Sequence, residues 1–127
     1  MKQASETGTV ILAVIKGEMP LSALTDVGIQ VHWEDGSYKL VSEIMPVVIT
    51  PTASDLASGL LTYRASPAEL RLWAFFLLAE SGGVDLVEVE SHPQGDLLIN
   101  ALWDASYNGK APENAITVAK NLVRRQP

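Results

Sequence analysis

The chain has 127 residues and a formal net charge of −6 at pH 7, with 47% hydrophobic and 19% charged residues. This length and composition predict one folded domain, with residues 1–8 disordered. The acidic balance argues against nucleic acid as a ligand, since lysine and arginine supply most of the affinity of proteins for nucleic acids. The absence of cysteine excludes disulfides, thiolate zinc sites and a cysteine nucleophile, and it favours a cytoplasmic location.

Two short helices are predicted before the first strand. The apolar run of residues 10–15 has only six residues, which is too short to span a membrane, so we expect no membrane binding. We interpret this run as helix rather than strand. Residues 20–27 predict a second short helix that ends at Gly28, since glycine readily adopts the left-handed conformation that ends helices.

Residues 29–49 are predicted to form a small antiparallel sheet. Apolar and polar residues alternate before Asp35-Gly36, a dipeptide that is the strongest short-range signal for a β-hairpin. Residues 44–49 are mainly apolar and would add a third strand, which Pro46 would confine to the edge of the sheet. The region is therefore expected to be a hairpin or a three-stranded sheet.

Residues 52–125 are predicted to be helical. The clearest helix start is at Ser66-Pro67, where a serine cap, proline at the first helical position and Glu69 at the third predict a capping box. Similar signals and apolar spacing define the other helices. The predicted ranges are 53–64, 67–81, 93–106 and 112–125. The fold class is therefore α+β and mainly helical, with the sheet packed against four or more helices and the apolar helix 67–81 at the centre.

The candidate binding residues lie in an acidic region. Between Arg71 and Lys110 the chain has six acidic residues and no lysine or arginine, whereas nine acidic and nine basic residues balance elsewhere. Such a region attracts cationic partners, and tryptophan is enriched among residues that dominate binding energy. We therefore predict that a basic protein partner binds here. The residues are Glu80, Asp85, Glu88, Glu90, Asp96, Trp103 and Asp104.

These features predict a non-catalytic protein-binding domain that uses residues 80–104. An inhibitor or immunity-type protein, which covers a basic active site, is one form of such a domain. The sequence contains none of the common nucleophile, nucleotide-binding or zinc-peptidase motifs, so no cofactor is predicted and an enzyme is not favoured. His32 and Glu34 would share a strand face as a possible general-base pair, but exposed polar residues on a hairpin are the usual explanation for such a pair.

Two alternatives stay open. On an extended strand Glu88, Glu90 and His92 would share one face, with Asp96 a short loop away, and such a set can hold Zn, Mn or Fe(II) and activate water. The opposing interpretation is that the alternate valines are buried and the glutamates are solvated. In the other alternative the chain is a structural subunit that self-associates through Trp103 and apolar helix faces.

Overall fold

The structure, a computed structural model, describes residues 4–34, 37–42, 48–79 and 83–124. These residues form a mainly helical fold with one antiparallel hairpin, which confirms the predicted class. None of the described helices is long and apolar enough to cross a membrane. The elements are α1 (Ala4–Lys16), a 3₁₀ helix (Leu21–Val27), β1 (Ile29–Glu34), β2 (Ser37–Ser42), α2 (Ala53–Tyr63), α3 (Pro67–Leu78), α4 (Val87–Glu90), α5 (Gly95–Asn108) and α6 (Glu113–Arg124).

The N-terminal segment is helical from Ala4 onward. Helix α1 includes residues 10–15, which confirms the helix expected there, but it also includes residues 4–8, for which disorder was expected. It packs on α2 and on the 3₁₀ helix, and this packing favours order near the N-terminus. The helix predicted over residues 20–27 is the 3₁₀ helix, and it ends at Gly28, whose φ of 85° is left-handed.

The sheet in the described residues has two strands rather than three. Strands β1 and β2 pair as predicted, in a register that places Glu34 opposite Ser37. Ile49 instead forms an isolated parallel bridge with Val84, and its N–H and carbonyl both hydrogen-bond to that segment at 2.8 Å. The prediction of a third strand is therefore wrong at Ile49, because its backbone groups pair with the segment around Val84 and not with the hairpin. Residues 44–47 lie outside the described residues.

The helix starts lie within two residues of the predicted positions, although only one of the two expected side-chain caps is present. Helix α2 begins with a full capping box between Thr52 and Asp55. Helix α3 begins at Pro67 as predicted, but within the described first turn the Ser66 side chain makes no cap hydrogen bond, so the capping box expected there does not form. Helix α3 ends at Leu78 rather than near 81, while α5 and α6 lie within two residues of their predicted ranges.

Helix α3 lies at the centre of the core, as predicted. Its Trp73 and Phe76 side chains are fully buried, and the helix packs on α5, α2 and both strands of the hairpin. Helix α6 packs mainly on α2, and the short α4 packs on α5 and α2. This arrangement buries one side of α5 against α3 and leaves its other side facing solvent.

Candidate functional site

The acidic candidate residues lie on α4, on α5 and on the segments beside them. Asp85 precedes α4, whereas Asp96 and Asp104 are on α5, and all three side chains are exposed. Glu88 and Glu90 on α4 are exposed as well. Glu80 lies outside the described residues.

Helix α4 covers Val87–Glu90, where the metal alternative depended on an extended strand. Val89 is buried, whereas Val87 is half exposed, so the two valines do not share a buried strand face. Successive residues of a helix are about 100° apart, so Glu88 and Glu90 lie on opposite sides of Val89. The strand face that the metal alternative requires for Glu88, Glu90 and His92 is therefore absent from the described residues. Across the described residues, no group of three or more His, Cys, Asp or Glu side chains could hold a metal ion.

His92 stabilises the turn between α4 and α5. Its ring Nδ1 accepts a hydrogen bond from the backbone N–H of Gln94 at 3.0 Å, and its carbonyl accepts one from the N–H of Gly95 at 2.8 Å. A neutral ring that accepts at Nδ1 carries its proton on Nε2. The structure therefore gives His92 a role in connecting the two helices.

Gly95 allows α4 to approach the beginning of α5 closely. A Cβ atom at this position would overlap the carbonyl oxygen of Val89 and would lie 3.3 Å from the Cα of Glu90. The missing side chain therefore allows the backbone of α4 to pack closely against the amino end of α5. Asp96 lies in the first turn of α5, where the helix dipole stabilises acidic groups, so its position there is accounted for without any partner.

The solvent side of α5 carries two large aromatic residues. Trp103 is 50% exposed and Tyr107 is 76% exposed. Together with Asp96 and Asn100 they follow spacings of four, three and four residues, which place side chains along one side of a helix. We call these four residues the α5 outer stripe. Tyr107 was not among the predicted site residues, although its position four residues after Trp103 is a signal for it.

Asp104 lies at the edge of the outer stripe and has a mixed environment. It lines a surface groove together with Asn108, Lys110 and Glu113, so a basic residue is among its neighbours. Along the helix axis it is about 12 Å from Asp96, at 1.5 Å per residue. The acidic region is therefore not one continuous patch, because Asp104 is about two helical turns from Asp96 and has a basic residue among its neighbours.

His32 and Glu34 form the pair that was expected on one face of β1. The ring Nε2 of His32 lies 3.0 Å from a carboxylate oxygen of Glu34, and both side chains are exposed. An exposed pair of this kind contributes little to stability. The hairpin packs on the 3₁₀ helix and α3, whereas α4 packs on α5 and α2, so this pair belongs to a different part of the fold from the acidic candidates.

Comparison of the chain with protein-family models, with curated proteins and with solved structures gives no significant match.

Proposed function

We propose that the chain is a non-catalytic protein-binding domain that binds a basic protein partner through the α4–α5 surface. This surface consists of Asp85, Glu88, Glu90, Asp96, Asn100, Trp103, Asp104 and Tyr107. The observation that supports the proposal most is the exposure of Trp103 and Tyr107 beside carboxylates. Large exposed apolar patches are uncommon on monomeric proteins unless they bind something, and tryptophan and tyrosine are frequent binding hot spots.

The charge of the surface supports a basic partner rather than an apolar one. The described acidic side chains from Asp85 to Asp104 are all exposed, and no lysine or arginine occurs between Arg71 and Lys110. Complementary charge steers association and excludes partners of like charge, while the aromatic residues supply contact area. An inhibitor or immunity-type protein in the cytoplasm, covering a basic active site, is the form of this function that the small size and negative charge favour.

Affinity capture with matched charge variants tests the proposal. The tagged chain is incubated with a lysate of its source cells, washed at moderate salt, and the retained proteins are identified by mass spectrometry. We expect a stoichiometric basic protein to be retained, and we expect the double variant Glu88→Lys, Glu90→Lys to lose it because the charge of α4 is reversed.

The control is the double variant Glu18→Lys, Asp26→Lys, which changes the net charge equally at exposed residues outside the α4–α5 surface. This control should retain the partner. Capture that is unchanged in the α4 variant would remove the acidic surface from the proposal, and circular dichroism checks that both variants are folded.

A further inference from the structure

We infer that the α5 outer stripe recognises arginine side chains of its partner in preference to lysine side chains. This inference rests on the proposed function and specifies the chemistry of the partner. It starts from the geometry of the two exposed aromatic residues. Trp103 and Tyr107 are four residues apart on α5, so their side chains are neighbours on the helix surface, and their Cα atoms are about 6 Å apart along the axis.

The faces of aromatic rings attract cations, and they bind a guanidinium group in a way that an ammonium group cannot reproduce. A planar guanidinium stacks on an aromatic ring and is weakly hydrated, whereas the lysine ammonium is a compact and strongly hydrated charge. A guanidinium that is stacked in this way still has N–H groups free at its edge. It can therefore contact a ring and a carboxylate at the same time.

The α5 outer stripe and its edge provide both kinds of group. Asp104 lies three residues before Tyr107, a spacing that makes two side chains neighbours on a helix surface, and Asp96 and Asn100 continue the stripe toward the amino end of α5. Carboxylates accept two parallel hydrogen bonds from one guanidinium. The arrangement thus offers stacking and bidentate hydrogen bonding along one side of a helix, which is a combination that selects arginine.

The chain's own nearby arginine is engaged elsewhere. The guanidinium of Arg71 donates to the backbone carbonyl of Asn108 at 3.2 Å, where it caps the carboxyl end of α5. Lys110 lines the groove beside Asp104. We therefore expect the basic protein partner to supply the arginine side chains that contact the stripe.

Two peptides of equal charge test this inference on the full chain. Labelled decaarginine and decalysine are titrated with the protein at one fixed salt concentration, and binding is followed by fluorescence anisotropy. We expect decaarginine to bind roughly threefold to tenfold more tightly, since an exposed cation–π contact contributes a modest factor at each ring. In the double variant Trp103→Leu, Tyr107→Leu this ratio should fall by about threefold or more, because leucine is apolar but has no ring.

Two further variants separate the rings from the carboxylates. The double variant Trp103→Phe, Tyr107→Phe keeps aromatic faces and should keep most of the preference for arginine. The Glu88→Lys, Glu90→Lys variant should weaken both peptides without changing their ratio, because it alters charge outside the stripe. Circular dichroism confirms that each variant is folded.

The outcomes distinguish this inference from the proposed function. Equal affinities for the two peptides, or a ratio that the leucine variant leaves unchanged, would overturn the arginine preference and leave the basic-partner proposal intact. If neither peptide binds the native chain even at low salt, the proposal of an acidic binding surface fails as well.

Discussion

At the level of single residues, the carboxyl end of α1 is held by three side chains from α2 and α3. The Ser58 hydroxyl donates to the carbonyl of Lys16 at 2.8 Å, and the Tyr63 hydroxyl lies 3.2 Å from the carbonyl of Val14, to which it donates. The indole N–H of Trp73 donates to the carbonyl of Ile15 at 3.1 Å. The last carbonyls of a helix have no partner within the helix. These side chains supply hydrogen bonds there and join three helices in the core.

The pKa of Tyr63 reports this packing. Burial raises it from 10.0 to about 12, and the carboxylate of Glu69 adds to the increase. Between pH 10 and about pH 12 the Tyr63 hydroxyl keeps its proton in the folded protein and loses it in the unfolded chain. The stabilisation from the neutral phenol is therefore complete below about pH 10 and is lost as the pH rises through about 12. A shift of this size corresponds to roughly 2–3 kcal/mol of unfolding free energy.

The Tyr63→Phe variant tests this assignment. We expect it to be less stable than the native chain at neutral pH by about 1–2 kcal/mol, because the buried hydrogen bonds of the hydroxyl are lost. Above about pH 10 its stability should decline less steeply, because the titrating group is gone. Urea unfolding at a series of pH values measures both effects. Parallel pH profiles for the two proteins would show that Tyr63 does not cause the decline.

At the level of secondary-structure elements, two similar helix starts are stabilised differently. At the start of α2 the Thr52 hydroxyl accepts from the N–H of Asp55 at 3.2 Å, and the Asp55 carboxylate accepts from the N–H of Thr52 at 3.0 Å. At the start of α3, Ser66 has no such side-chain bond within the described turn, and Pro67 occupies the first helical position. The fixed φ of proline favours that helix start without a side-chain cap.

The two caps can be compared by alanine substitution. We expect Thr52→Ala to lower the unfolding free energy by about 1 kcal/mol, since it removes a cap hydrogen bond. Ser66→Ala should change it by less than about 0.5 kcal/mol, since no cap bond is lost. Urea midpoints of the native chain and the two variants give the comparison. Equal losses would mean that the Ser66 side chain does cap α3 in solution.

At the level of the whole molecule, the negative charge of the α4–α5 surface disfavours pairing with a second copy of this chain. If two chains paired through their α5 outer stripes, Trp103 and Tyr107 would be buried, but Asp96 and Asp104 of both copies would bring four carboxylates into one interface. A symmetric interface uses the same patch on both subunits, so the negative charge of the patch is doubled there. The carboxylates thus oppose the self-association that Trp103 by itself would favour.

We therefore expect the chain to be monomeric at micromolar concentration and low salt. High salt screens the repulsion between carboxylates, so any weak association should increase with salt. Sedimentation velocity at low and high salt measures this dependence. A dimer that persists at low salt and is lost in Trp103→Leu would contradict the expectation and would favour a structural subunit instead.

Local features of the sequence determined the hairpin and most of the helices. Pro67 sets the beginning of α3, and Gly28 and Gly109, whose φ values are 85° and 67°, end the elements before them. These residues act through their own backbone preferences, which do not depend on distant contacts. For that reason the start of α3 and the ends of the 3₁₀ helix and α5 could be predicted to within two residues.

The tertiary structure decided the features that depend on contacts between distant residues. Residues 87–90 are too few for the spacing of their valines to distinguish strand from helix, and packing against α5 through Gly95 selects the helical turn. Gly59 weakens a helix by its own propensity, yet a Cβ there would overlap the carbonyl of Ile15, so only the packing of α1 on α2 explains it.

The exposure of Trp103 and Tyr107 was likewise decided by packing. Both residues are apolar enough to belong to a core, but Leu98, Ala101 and Leu102 fill the side of α5 that contacts the rest of the fold. The sequence determined that α5 would form and that acidic residues would lie near it. The direction in which each side of α5 faces was decided by the tertiary structure, because burial depends on which elements pack together.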